Sequence, residues 1–258
     1  MTAIRHTWFM VVRQARNLMR EPIWIALLLV QPMVWLVLYG QLFKNVTRLG
    51  GFGTASYVTF LAPAIVVMNS FFGATWSGMA MIGDLDRKVV ERFLATPASR
   101  LSIVLSQIVR SALTAAIQAV VILVIAWGIL GVHVHAGLAG WLVVIAVGML
   151  VNAAFAGLSQ GLALLTRREA TMITLANFIG LPLLFLSTTM IARAQMPHWM
   201  QETARFNPVD WGVRAAREVV LPGTAWSTVG WYLLFLLLLT VLTTAWATWA
   251  FRAYQRTL

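Results

Sequence analysis

The residues that could do chemistry are few, and two lysines decide the first question. Lys44 is followed by Asn45, and Lys88 by Val89. A phosphate-cradling loop needs Lys followed by Ser or Thr after a glycine-rich turn, so that backbone N–H groups wrap the phosphates and the hydroxyl holds Mg. Neither lysine has that context, so the sequence predicts no ATP or Mg site in this chain. The carboxylates are Glu21, Asp84, Asp86, Glu91, Glu169, Glu202, Asp210 and Glu218. None falls in the middle of an apolar run, where a proton-driven carrier usually keeps one. Gly157-Leu158-Ser159-Gln160-Gly161 has the G-x-S-x-G spacing, but a nucleophile elbow needs a strand–turn–helix context. Here the pattern lies inside an apolar run, where Gly157 and Gly161 predict a close helix contact of the small-xxx-small type. His6, His133, His135 and His198 all lie outside the apolar runs, so no base faces the serine. His133 and His135 are two ligands without a third, which makes a weak metal site. No cysteine is present. The expectation is therefore no catalytic residue, no metal and no cofactor in this chain.

What remains inside the apolar runs is a set of uncharged polar side chains: Asn69, Gln118, Asn152, Gln160 and Asn177. Such groups hydrogen-bond between helices or line a pathway. They are the candidates for helix packing or a transport route, together with Gly157 and Gly161.

The elements that must position these residues follow from composition. Of the 258 residues, 60% are hydrophobic and 10% charged, where a soluble domain carries about 25% charged residues. Too little polar surface exists to cover a water-exposed globule. A membrane-crossing helix needs about 20 mostly apolar residues. Six segments qualify: Ile23 to Phe43, Tyr57 to Ile82, a stretch within Ile103 to Val132, Leu138 to Leu165, Met172 to Ile191, and Trp226 to Phe251. The predicted fold is an all-α membrane protein with six transmembrane helices, read as one domain over 1–258. No cleavable signal peptide is expected, because the first apolar core follows about twenty polar, arginine-rich residues.

Lysine and arginine set the orientation. With both termini in the cytoplasm, the inner side holds Arg5, Arg13, Arg16, Arg20, Arg87, Lys88, Arg92, Arg100, Arg110, Arg167, Arg168, Arg252 and Arg256. The outer side holds Lys44, Arg48, Arg193, Arg205, Arg214 and Arg217. The net charge of +11 then reflects arginines beside anionic lipid rather than nucleic-acid binding.

Three segments outside the spans carry pattern. Residues 1–21 place Ile4, Trp8, Val11, Val12, Ala15, Leu18 and Met19 at three- and four-residue spacing, with Arg5, Arg13, Arg16 and Arg20 largely between them. That is a basic amphipathic helix lying on the inner membrane surface. Pro22 ends it and starts the first span. Residues 192–223 are too polar to span but contain Trp199, Phe206, Trp211 and Val213. Pro197 can open one short helix, and Asn207 with Pro208 can open a second that stops before Gly223. Two short outer helices, at or dipping into the interface, are predicted. Asp210, Arg214 and Glu218 are spaced to pair along one face. Residues 83–100 are densely charged, with Val89, Val90, Phe93 and Leu94 on one stripe and Pro97 at its end. A short helix of this kind suits docking in a partner's groove.

At these residues a family likeness emerges. Glu91-Arg92-Phe93-Leu94-Ala95-Thr96-Pro97-Ala98-Ser99-Arg100 resembles the E-R-L-L-x-T-P-x-S-R segment of type-2 ABC exporter permeases, including the daunorubicin-resistance type. Upstream, Asp86-Arg87-Lys88-Val89-Val90 departs from the family's E-R-x-x-G-T-L. Met196-Pro197-His198-Trp199-Met200, Phe206-Asn207-Pro208-Val209 and Arg214 to Arg217 resemble the segment before the last span. The likeness covers the whole chain.

The resemblance implies a transmembrane subunit of an exporter in the bacterial plasma membrane, moving an amphipathic drug, lipid or glycoconjugate. Two ABC ATPase subunits would supply ATP and Mg, and a second permease, identical or related, would complete the pathway. The 83–100 loop would transmit ATPase closure through Glu91, Arg92, Asp86 and Arg87, with Arg13 and Arg16 on the basic helix adding contacts. The alternative is a secondary carrier or channel that works without ATP.

Overall fold

The computed structural model describes residues 22–87 and 100–255, with backbone alone for residues 22–29, 100 and 255. The predicted interfacial helix over 1–21, with Arg13 and Arg16, lies outside them. So do Lys88, Glu91, Arg92 and the stripe Val89, Val90, Phe93 and Leu94.

Among the described residues no strand forms, and eight α-helices follow in order. These are α1 (Pro22–Leu42), α2 (Tyr57–Asp86), α3 (Arg100–Gly128), α4 (Gly137–Thr166), α5 (Glu169–Phe185), α6 (His198–Arg205), α7 (Pro208–Val220) and α8 (Trp226–Gln255). Four of them, α2, α3, α4 and α8, are long and apolar enough to cross a membrane. The α5 helix is apolar but shorter, at 17 residues. Each end of the bundle is named here by one residue of α2, the Tyr57 end and the Asp86 end.

Sequence boundaries shift in instructive ways. The α2 helix runs four residues past the expected end at Ile82, so 83–86 are helix rather than loop. Gly83, Asp84, Leu85 and Asp86 bring no proline and leave the ladder intact, and the Arg87 N–H closes it on the Gly83 carbonyl. The fifth segment behaves in the opposite way. Its helix ends at Phe185, six residues before the expected Ile191. Pro182 sits in the last turn, and the backbone beyond it finds side-chain partners instead of helical ones. The predicted short helices do form. The α6 helix follows Pro197, and α7 has Pro208 in its first turn and Asn207 as its cap, whose side chain accepts the Val209 N–H.

The α4 helix is the centre of the bundle, with α2 along one side, α8 along another and α3 beside it. Small residues allow this. A methyl group on Gly78 of α2 would sit 2.3 Å from Ser159 Oγ and 2.6 Å from the Ser159 carbonyl oxygen, so the two backbones are nearly in contact. On the α8 side, a methyl on Gly157 would meet Thr243 Oγ1 at 2.9 Å, and one on Gly161 would meet the Trp246 ring at 2.2 Å. The G-x-x-x-G pair is thus a groove that seats Thr243 and Trp246. At its last turn α4 ends on Arg167 in the left-handed conformation (φ 55°), and the guanidinium lies 4.7 Å over the Tyr254 ring of α8. Lipid-type side chains face outward, among them Val34, Leu38, Val124, Phe178, Leu242 and Trp249.

Overpacking a close helix contact costs about 1–3 kcal/mol. Gly161→Ala is therefore expected to lower the thermal midpoint of the detergent-solubilised protein clearly, with Gly157→Ala milder. Gly230→Ala in α8, where nothing lies within 4 Å of the added carbon, should leave the midpoint unchanged.

Candidate functional site

Two polar constructions stand out in an otherwise apolar bundle. The first is a seam along α2. Asn69 donates from Nδ2 to Gln118 Oε1 of α3 at 2.9 Å. On the other side of α2, Asn152 of α4 donates to the Ser70 carbonyl at 2.9 Å, and Ser159 donates to the Thr75 carbonyl at 2.9 Å. Gln160 donates to Ser77 Oγ at 2.9 Å. The α4 partners rise in number with the α2 partners, so the two helices run parallel and the bonds rung the seam along the crossing. Gln160 is completely buried, and Asn152 and Ser70 nearly so. Four of the five candidate amides, Asn69, Gln118, Asn152 and Gln160, are thus gathered around α2. Asn177 is not. It is exposed and donates to the Ile173 carbonyl of its own helix at 3.0 Å. Gly157 and Gly161 lie away from the seam, on the α8 side of α4.

Next to the seam, α2, α4 and α5 line a half-open apolar cavity. Its walls include Phe71, Thr75, Phe155, Ser159, Met172 and Ile179. Phe71 and Phe155 meet edge to face at 4.7 Å. Because the Ser159 hydroxyl is already committed to the Thr75 carbonyl, the cavity presents an almost wholly apolar lining.

The second construction is charged and sits toward the Tyr57 end. Asp210, on α7, is fully buried. Its Oδ1 accepts the Thr188 N–H at 2.7 Å and the Thr188 hydroxyl at 2.5 Å. Its Oδ2 lies 2.6 Å from Arg214 Nε. Arg214 also donates to the Tyr232 hydroxyl of α8 at 3.3 Å. One turn further along α7, Arg217 is 7% exposed. It donates to three backbone carbonyls: Phe60 at 3.0 Å, Thr188 at 2.5 Å and Thr189 at 2.7 Å. Its guanidinium carbon lies 3.4 Å from the centre of the Phe60 ring. Asn207 adds to the cluster by donating to the Leu183 and Leu186 carbonyls at 2.6 and 3.0 Å. Nearby, Tyr57 donates to the Met190 carbonyl at 2.8 Å. These partners explain why α5 stops early, since the backbone of 186–190 is held by α7 and α2 side chains.

The expected pairing of Asp210, Arg214 and Glu218 is therefore realised in part. Asp210 pairs with Arg214, while Glu218 joins no ion pair among the described residues. Sequence reasoning missed the burial of Arg217, which it places on the outer side and within the segment that resembles the family's stretch before the last span. Its signal was phase. Asp210 and Arg217 are seven apart, on the same side of the helix as the fully buried Val213 and Val220. A charge that keeps the apolar phase is a charge that will be buried.

At the Asp86 end, Gln107 of α3 donates to Asp84 Oδ2 at 2.6 Å, bridging the two helices that flank residues 88–99. Asp86 and Arg87, the described members of the expected coupling set, are exposed at the tip of α2. His135 is engaged with the Val220 carbonyl through Nδ1 at 2.9 Å.

A bundle of long apolar helices with internal polar seams is the architecture of an integral membrane protein. The profile of the ABC-2 type transporter family matches residues 5–221, and this chain belongs to that family. It is 30% identical over 220 residues to the transport permease ycf38 of Porphyra purpurea, covering 84% of this chain and 74% of that protein. A ycf38 permease of Cyanophora paradoxa is 29% identical over 217 residues, covering 83% of this chain and 73% of the relative. The daunorubicin resistance ABC transporter permease protein DrrB1 of Streptomyces coeruleorubidus is 26% identical over 235 residues, covering 87% and 77%. The chain is thus a membrane transport subunit of the ABC-2 type and not itself an ATPase.

Interhelical hydrogen bonds in membrane bundles contribute about 0.6–2 kcal/mol each. Asn69→Leu and Gln118→Leu should each destabilise the protein by about 1 kcal/mol. The double variant should be no worse than either alone, as a double-mutant cycle of unfolding midpoints in detergent will register.

Proposed function

We propose that this chain is the membrane-embedded half of an ATP-driven exporter that carries an amphipathic drug, lipid or glycoconjugate out of the cytoplasm. The observation that carries this reading is family membership across 5–221 in a chain whose two lysines both lack a phosphate-loop context. ATP and Mg would then be bound by a separate ABC ATPase, in two copies, with a second permease, identical or related, completing the pathway.

In this reading α1 and α5 join the four long helices as six spans, with both termini in the cytoplasm of a bacterial cell and the chain in its plasma membrane. The α6–α7 pair is a re-entrant hairpin on the outer side. Two contacts support that depth. Gly212 of α7 packs against Val67, Val147 and Val151, of which Val67 lies ten residues into α2, about 15 Å along its axis. Val219 and Val220, by contrast, meet His135 and Ala136 just before α4 begins.

The coupling route follows from α2. It is a single 30-residue helix with Pro63 near its start, about 45 Å long, so a displacement at its Asp86 end travels along it toward the Tyr57 end. An ATPase docked on the 83–100 segment, through Asp86, Arg87, Glu91 and Arg92 and helped by Arg13 and Arg16, would push on that end. The Asp84–Gln107 bond makes α3 follow. The two states are then inward- and outward-open arrangements of packed helices. The apolar cavity between α2, α4 and α5 suits the hydrocarbon part of an amphipathic substrate, since such sites are lined mainly by apolar and aromatic groups.

Because the chain has no native cysteine, single cysteines report topology cleanly. Ala55→Cys should react with an impermeant maleimide from outside intact cells, and Arg168→Cys only after permeabilisation. Purification in mild detergent should bring down a stoichiometric ABC ATPase. Reversing both charges, Glu91→Arg with Arg92→Glu, should abolish transport while ATP hydrolysis by the complex continues. Efflux that survives loss of the ATPase, with none co-purifying, would instead favour the ATP-independent carrier.

A further inference from the structure

We propose that Arg217 is a positioning residue for transport: it clamps the Tyr57 end of α2 to α7 and to the 186–190 connection, so that these three pieces move as one body. The proposal rests on the exporter reading above.

The geometry is specific to a guanidinium. Three donors on one rigid fork reach three carbonyls in two separate segments, Phe60 on α2 and Thr188 and Thr189 after α5. The Phe60 carbonyl lies in the first turns of α2, so the clamp grips the helix whose opposite end flanks residues 88–99. A lysine ammonium is a point charge with three rotatable donors and cannot match that fork. Asp210 completes the device from the same helix. It takes the Thr188 N–H and hydroxyl, so Thr188 is held through its carbonyl by Arg217 and through its N–H by Asp210. Thr188 and Thr189 are 3% and 1% exposed, which keeps water from competing for these bonds.

The contrast with α5 itself sharpens the assignment. Along α5, the side-chain bonds of Thr174 and Asn177 go to carbonyls of the same helix, whereas its last turn, at 183, and the connection beyond it, at 186, 188, 189 and 190, are held by α7, its Asn207 cap and α2. The polar ties to α5 are concentrated at one end. A displacement of α2 is therefore passed to α7 and to that end of α5, while the rest of α5 borders the apolar cavity.

The test uses the full chain reconstituted with its ABC ATPase and a reporter, Trp199→Cys, on α6, where the native side chain is 61% exposed. With Arg217 intact, the maleimide reaction rate of the reporter should change when ATP and vanadate are added. With Arg217→Met, the rate without nucleotide should be the same and the ATP-dependent change lost, with transport lost and ATP hydrolysis retained. Arg217→Lys, which keeps the charge beside Asp210, should behave in the same way and serves if the Met variant does not accumulate. An ATP-dependent change that persists in both variants overturns the clamp. So does a nucleotide-free rate raised to that of the denatured protein in both, which would make Arg217 a folding residue only. A reporter indifferent to ATP even with Arg217 intact overturns the exporter reading and the clamp with it.

Discussion

The structure depends on how closely α4 can approach its neighbours. In lipid there is little hydrophobic force between helices, because the solvent is as apolar as the side chains. Association then rests on packing and on hydrogen bonds that cannot be made to water. Gly78 against Ser159 brings α2 onto α4 at backbone distance, Gly157 does the same for α8 at Thr243, and Gly161 makes room for the Trp246 ring. That proximity is what lets Asn152, Ser159 and Gln160 reach partners on α2. Larger residues at the crossings would separate the helices and leave those amides unpaired in an apolar interior, where each would cost about 1–3 kcal/mol.

A second constraint is electrostatic. Burying an isolated charge costs far more than burying an amide, and a buried charge survives only when paired and hydrogen-bonded. The Asp210 carboxylate meets this with Arg214 and Thr188, and Arg217 with three carbonyls and an aromatic face. The consequence reaches beyond α7. Thr188 and Thr189 serve these groups from a bent, non-helical backbone, which ends α5 early and fixes the path of the chain toward α6. Seam and charge cluster both engage α2, the seam along its length and the cluster near one end. A single helix therefore communicates with most of the bundle.

Much of this was legible in the sequence, because its signals are local. Runs of apolar residues marked the long helices, and Asn207-Pro208 marked the start of α7. The glycine pair at 157 and 161 gave a close contact without saying which helix would fill it, since Thr243 and Trp246 are far away in sequence. The charges after Ile82 read as loop, whereas a carboxylate in a last helical turn can hydrogen-bond across to the next helix, as Asp84 does with Gln107. The end of α5 was set too late because hydropathy alone does not see that a distant Asp210 will claim a backbone N–H. Residue type places Asn177 with the other amides as a packing or pathway candidate, but its side chain bonds within its own helix. The burial of Arg217 was missed because charge was weighed without helical phase. The two misplaced helix ends share one origin: a partner more than a dozen residues away decides what the local residue does.

Belonging to the ABC-2 type family and lacking a lysine in phosphate-loop context, the chain invites one central claim, that energy enters transport from another polypeptide. The most direct measurement is flux of an amphipathic fluorescent substrate in sealed proteoliposomes, with this chain alone and with its ABC ATPase. The account predicts uphill movement only when chain, ATPase and Mg-ATP are all present, and none when a Walker-lysine variant of the ATPase is used. Concentrative transport by the chain alone, driven by an ion gradient, would contradict it.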